Sequence, residues 1–405
     1  MRQSFAESNS FLWKICHALD DGQNDVYIVG VIFELVARKF WSVGEHQIGA
    51  KLLRTDRMSN HPQHILVVHV AGLAQTTLAL PALRSLRAHM PESRITVAAS
   101  TAAADLIRLA DCADEVLAIG RFHHAEVLSP KAFFRSTKAI NELRHAQFDL
   151  AIEFRKNAEA TVVLNFAHPY ERLKSSPSVN KGLSGLSGML EQFSQALSPK
   201  PAMPDHLAHA YLKKLEPLGV RPIEAEPHLK TDPNADEQFE KLLKKHAVTY
   251  GELLVGIHPG AGTIQHRWPL ERFVSIASRL IHNFNARVLV FAGPQERGLA
   301  KQIVAQLPAK RAIPMQSPKI PDLVSAFARL SVLVANHSGP AHVAAAAGAP
   351  VAAISTFVKD SSTDVLSRRC EHIRASHVAM ISEEAVYEAA CKLLKTNRAE
   401  FLRQR

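Results

Sequence analysis

Hydrophobic and polar positions settle into a repeating rhythm from about residue 64 onward. Residues 65–70 form a near-continuous apolar run of strand length, and a short loop fills 71–75. Thr77, Leu80, Leu83 and Leu86 then recur at helical spacing. Further strands are predicted at 95–99, 115–119 and 149–154, with a helix at 102–109. Short apolar strands alternating with helices predict a mostly parallel sheet covered on both faces. The rhythm breaks at 174–205, a Ser-, Gly- and Pro-rich interval that reads as a long loop around one short helix. Helices at 206–218 and 235–244 flank a connection at 219–229. A second series follows, with strands at 253–258, 288–291, 331–335 and 351–356. Helices at 270–281, 295–307, 321–330 and 339–347 interleave with them, and the remainder reads as helical. Two α/β halves predict a cleft lined by loops at the C-terminal ends of the strands, where sheets of this kind bind ligands.

This rhythm gives an α/β chain with four parts: a helical extension at 1–60, α/β domains at 61–235 and 236–385, and a C-terminal helix at 386–405. In the extension, Phe11, Trp13, Ile15, Phe33, Phe40 and Trp41 suggest short amphipathic helices. They pack on the body of the protein, offer a surface to a membrane or partner, or belong to a mobile arm. The most apolar N-terminal run, 26–36, is too short to span a bilayer and contains Glu34. The first residues lack a basic flank leading into an apolar core, so a signal peptide is not expected.

Composition narrows the class. A length of 405 residues with 47% hydrophobic content suits two medium domains and excludes a disordered, collagen-like or coiled-coil chain. The cysteines Cys16, Cys112, Cys370 and Cys391 form no CxxC pair, which argues against a disulfide scaffold or zinc site and favours a reducing, intracellular compartment. The formal charge of +10 favours anionic partners such as phosphates, nucleotides or an anionic membrane face. Nucleic acid is not expected, because no zinc finger, RNP-like motif or arginine-rich tract is present.

Four loops carry the candidate chemistry. Residues 69–83 place a small-residue loop between a buried strand and a helix start, where backbone N–H groups can receive an anion or a hydroxyl-rich ligand. In 256–273, Pro259, Gly260, Ala261 and Gly262 make a tight turn, and Thr263, His266 and Arg267 can surround a phosphate. Trp268 beside them reads as a cap over the domain core. In 335–350, Ser338, Gly339 and Pro340 open a helix whose first turn carries His342. Their amides are candidates for a diphosphate, and the alternative for His342 is a structural histidine. In 291–298, Glu296 follows a strand and either accepts hydrogen bonds from a ribose diol or sits as a solvated helix-start carboxylate.

In this order the segments resemble the heptosyltransferase-like glycosyltransferases of lipopolysaccharide core assembly, the family 9 enzymes that use ADP-heptose. The resemblance covers roughly residues 64–375 and is strongest at 65–91, 148–154, 256–273, 291–296 and 327–354. It implies a GT-B fold: two Rossmann-like domains facing a central cleft, here with an N-terminal extension. It further implies inverting transfer without a metal or resident cofactor, a nucleotide-sugar donor (ADP-linked) on the C-terminal half, and a lipid-linked glycan acceptor. The last would bring peripheral contact with the cytoplasmic face of an inner membrane. Pro259, Gly260, Ala261, Trp268, Pro269, Glu296, Ser338, Gly339, Pro340 and His342 match the family pattern. Three positions depart from it, and the Phe-Gly-Pro-Thr turn usual after the next strand is largely lost at 355–360. Gln75 stands where the family has its proposed general base, an Asp; His266 replaces a donor-site Lys, and His337 replaces an Asp. A glutamine amide takes no proton at useful pH, so an active chain needs another base. His69 is the first candidate and Glu153 the second. Arg267 is the candidate to replace the missing lysine. The rival readings are a weakened relative that binds or scaffolds, and an epimerase or phosphorylase on the same fold.

Overall fold

The computed structural model describes residues 62–119, 139, 141–173, 206–249, 251–294, 296, 298–356 and 361–403. The extension expected at 1–60 and the Ser/Gly/Pro-rich interval at 174–205 lie outside the described residues. The N-terminal half contains β1 (His64–His69), α1 (Leu73–His89), β2 (Arg94–Ser100), α2 (Thr101–Ala110), β3 (Glu115–Ile119), β4 (Leu150–Glu153), α3 (Ala158–Ala167) and β5 (Glu171–Leu173). Its strands pair in parallel, in the order β3-β2-β1-β4-β5. The apolar run of β1 follows from this position: Ile65 and Val67 enter the core on one face, Leu66 and Val68 the core on the other. Helix α4 (Leu207–Lys213) returns to the first of these cores through Ala208, Tyr211 and Leu212.

Helix α5 (Pro233–Lys245) leads into the second half, and its start is fixed by the Asp232 carboxylate accepting from the Ala235 N–H at 2.9 Å. There follow β6 (Leu254–His258), α6 (Leu270–Phe284), β7 (Arg287–Ala292), α7 (Leu299–Val304), β8 (Ala312–Gln316), α8 (Ile320–Ala328), β9 (Val332–Asn336), α9 (Gly339–Ala346), β10 (Val351–Ser355), β11 (Cys370–Arg374) and α10 (Glu383–Arg403). The sheet order is β11-β10-β9-β6-β7-β8, again all parallel. In each sheet the winding reverses beside the first strand, between β1 and β4 and between β6 and β9. Such reversals open the crevices where ligands bind.

Among the described residues the halves meet at several points. Leu106 of α2 joins an apolar core with Val324 and Phe327 of α8. The start of α9 abuts the start of α1 so closely that a Cβ on Gly339 would lie 2.9 Å from the Leu73 Cβ. The chain crossing between halves is stitched to both: the Leu229 N–H donates to the Ala346 carbonyl at 2.9 Å, and the Lys230 N–H to the Leu109 carbonyl at 3.0 Å.

Several expectations need correction. The chain beyond 356 is not all helical, because Cys370–Arg374 forms an edge strand beside β10. Its sequence, CEHIR, lacks the apolar run that identifies a buried strand. The helix expected at 295–307 is confined to Leu299–Val304. Strand β8 escaped sequence reading because Pro314 interrupts it, which only an edge strand tolerates. Helix α3 and strand β5 also went unpredicted.

Candidate functional site

At the first crevice, the loops after β1 and β4 clasp each other. Asn157 caps α3 by accepting from the Ala160 N–H at 2.7 Å, while its amide donates to the Val70 carbonyl at 2.8 Å. Gln75, in the first turn of α1, accepts a hydrogen bond at Oε1 from Arg155 Nη1. Lys214 at the end of α4 donates to the carbonyls of Phe154 at 2.6 Å and Glu153 at 3.3 Å. Gln75, Arg155, Lys156, Tyr211 and Lys214 line a cavity of ≈ 280 Å³. Arg155 and Lys214 were not singled out from the sequence, and Gln75 and Arg155 are 80 positions apart.

His69, the first candidate for the base, is misplaced for that role. Its side chain is fully buried, edge-on to Tyr211 at 5.3 Å and to Phe154 at 6.0 Å. Neither ring nitrogen has a hydrogen-bond partner among the described residues. Burial, assisted by the nearby Arg155 charge, pushes its pKa down to about 3. A base must reach an acceptor hydroxyl, and His69 exposes no atom to one. Glu153, at the end of β4, remains half-buried at the crevice.

The second crevice is held by a side chain that the sequence gave no reason to single out. Asn336, fully buried at the end of β9, donates to the Pro259 carbonyl at 2.7 Å and accepts from the Trp268 N–H at 3.1 Å. One amide thus fixes both ends of the loop 259–268. Trp268 is 2% exposed, packs edge-on against Phe273 at 5.0 Å and donates from Nε1 to the Ile381 carbonyl at 3.0 Å, as expected of a core cap. On the loop, Ala261 is buried, and exposed Thr263 pairs through Oγ1 with His266 Nδ1 at 3.1 Å. The Glu296 carboxylate lies over Gly260, where a Cβ would come 1.7 Å from Oε1. Its Oε2 accepts from the Gly293 N–H at 2.9 Å, and Arg267 Nη2 lies 3.9 Å from Oε1. Arg267 Nε is buried without a partner among the described residues.

Beside this loop α9 begins, with Pro340 in its first turn. Buried Ser338 Oγ and both ring nitrogens of His342 lack hydrogen-bond partners among the described residues. His342, 1% exposed, stands edge-on to His337 at 5.2 Å. His337 Nε2 lies 2.9 Å from the Thr363 carbonyl. Burial lowers the pKa of both histidines, and for His342 the neighbouring His337 charge adds to the effect. At neutral pH both rings are therefore uncharged. Among the described residues no group of three or more His, Cys, Asp or Glu side chains is placed to hold a metal ion. No described helix is long and apolar enough to cross a membrane.

Two Rossmann-like units, each with a crevice at its sheet reversal and with helix starts meeting at Gly339, define the GT-B architecture. Residues 206–391 match the sequence model of glycosyltransferase family 9 (heptosyltransferase). Among solved structures, a family 9 glycosyl transferase from Veillonella parvula superposes with a TM-score of 0.67 at 20% identity, covering 84% of this chain and 100% of that one. The ADP-heptose lps heptosyltransferase II of E. coli gives 0.62 at 18% identity, covering 83% and 99%. E. coli heptosyltransferase WaaC with ADP gives 0.62 at 15% identity, covering 82% and 99%. At these identities the likeness establishes the fold. No curated protein sequence matches.

Proposed function

We propose that the protein is an inverting, metal-independent glycosyltransferase of the heptosyltransferase type. It would take a sugar from a nucleotide donor and pass it to an envelope glycan. The observation that carries this reading is the start of α9, where buried Ser338 Oγ and both His342 nitrogens have no hydrogen-bond partner among the described residues. A helix start with spare donors suits the diphosphate of a leaving nucleotide. Gly260, Ala261, Thr263, His266, Arg267, His337, Ser338, Gly339, Pro340 and His342 would surround that diphosphate, and Glu296 the ribose. An ADP-linked heptose is the donor this reading favours, by likeness to the family, and a lipid-linked acceptor at the cytoplasmic face of an inner membrane the acceptor. Residues 61–235 would serve the acceptor and 236–385 the donor.

In the transfer, the acceptor hydroxyl attacks the anomeric carbon and the bond from that carbon to the diphosphate breaks. The hydroxyl proton passes to a base. With His69 buried and Gln75 neutral, Glu153 takes that role in this reading, and Gln75 orients the hydroxyl. Calorimetry with ADP, UDP and GDP, followed by transfer of a labelled sugar, tests the proposal. ADP should bind best, and Glu153→Gln should slow transfer by a factor on the order of 10². A folded chain that binds none of the three nucleotides would overturn the donor assignment. A second reading, a binding protein without transfer, is favoured by the Gln75–Arg155 bond, which engages a neutral side chain where the resemblance expects a carboxylate base. Nucleotide binding without any product would select it.

A further inference from the structure

The cavity at the first crevice has a charge that the transfer mechanism above does not use. Three cations, Arg155, Lys156 and Lys214, line it together with Gln75, Tyr211 and Phe154. No carboxylate side chain belongs to its described lining. The two half-buried cations have neutral partners only: Arg155 donates to the Gln75 amide, and Lys214 to two backbone carbonyls. These bonds satisfy donors but cancel no charge. Burial lowers the Lys214 pKa, and the neighbouring Glu153 charge opposes that effect from outside the cavity lining. Phe154 and Tyr211, stacked at 5.3 Å with an interplanar angle of 21°, make a rigid wall behind the cations.

We propose that this cavity is an anion subsite in which Arg155, Lys156 and Lys214 hold a carboxylate or phosphate group carried by the acceptor. A carboxylate at position 75 would pair with Arg155 and occupy the subsite from within. The glutamine there holds the guanidinium in place through a neutral oxygen and leaves its charge for the ligand. The amide at position 75 takes no proton itself and presents an arginine. The cavity of ≈ 280 Å³ admits an anionic substituent with part of a sugar ring and not a whole oligosaccharide. That the ligand is the acceptor rests on the transfer reading; that it is an anion rests on the cavity alone.

The test uses the full chain at constant ionic strength, titrated by calorimetry with inorganic phosphate, galacturonate and galactose, and separately with ADP. Phosphate and galacturonate are expected to bind and galactose not to. Gln75→Glu and Arg155→Gln should each weaken anion binding at least tenfold and leave ADP affinity within twofold. Gln75→Glu is isosteric and puts a charge on the oxygen that meets Arg155, so it decides the matter if Arg155→Gln does not fold. Failure of both anions to bind the wild-type chain, affinities unchanged in Gln75→Glu, or galactose binding as tightly as galacturonate would overturn the subsite. If ADP does not bind but the anions do, with the tenfold losses, the donor reading falls and the anion site stands. Whichever of phosphate and galacturonate binds more tightly identifies the group.

Discussion

At the scale of single residues, burial decides which polar groups act and which only pack. His69 has its folded pKa at about 3, whereas an unfolded chain titrates near the ordinary 6.5. Between these values the unfolded state binds a proton that the folded state refuses. Stability is therefore complete above about pH 6.5 and falls as the pH drops toward 3. At pH 5 the loss from this one ring is about 2 kcal/mol. His69→Leu should remove that part of the pH dependence, which urea unfolding at pH 5 and pH 8 would reveal as a gain at the lower pH only. Asn336 is the opposite case, a buried polar side chain with both ends used. Asn336→Ala would strand the Pro259 carbonyl and the Trp268 N–H. It should cost about 2–4 kcal/mol in the same assay and weaken nucleotide binding through the loosened loop. The sequence offered both residues as polar letters at strand ends. Only the partners, 77 and 68 positions away for Asn336, separate a clamp from a spectator.

At the scale of elements, most strands that could be read were those buried on both faces, with the edge strand β3 the exception. Val255 and Ile257 of β6 enter one core while Leu254 enters the other, so the run is apolar throughout. Edge strands β5, β8 and β11 bury less and carry charges or a proline, and their sequences look like loops. The loops after β6 and β9 drew notice because their glycines follow buried strands, a pairing that marks candidate ligand crevices. Arg155 and Lys214 were not, since no spacing connects positions brought together by a crossover and a returning helix. Helix α9 carries a prediction of its own. His337 and His342 have pKa values lowered by burial, so both are neutral before binding. A diphosphate at the helix start would favour their charged forms and raise those values. Binding should then take up protons near neutral pH and tighten as the pH falls. Calorimetry of ADP in buffers of different ionisation enthalpy measures the uptake, and a value of zero would place the diphosphate away from both rings.

At the scale of the whole molecule, the halves touch where their helix starts meet, and Gly339 is what allows it. Gly339→Ala would bring a methyl group 2.9 Å from the Leu73 Cβ and 3.6 Å from the Ala74 nitrogen, atoms fixed to the backbone. The substitution should cost about 1–3 kcal/mol. Leu73→Gly in the same chain should return part of that cost, a coupling that a double-mutant cycle of urea midpoints would detect. The crossing segment is bonded to both halves. Leu229 is bonded to the last residue of α9 in one half and Lys230, the next residue, to Leu109 of α2 in the other. Two neighbouring backbone amides are thus committed to opposite halves, so a substitution that loosens this short crossing would weaken both attachments at once.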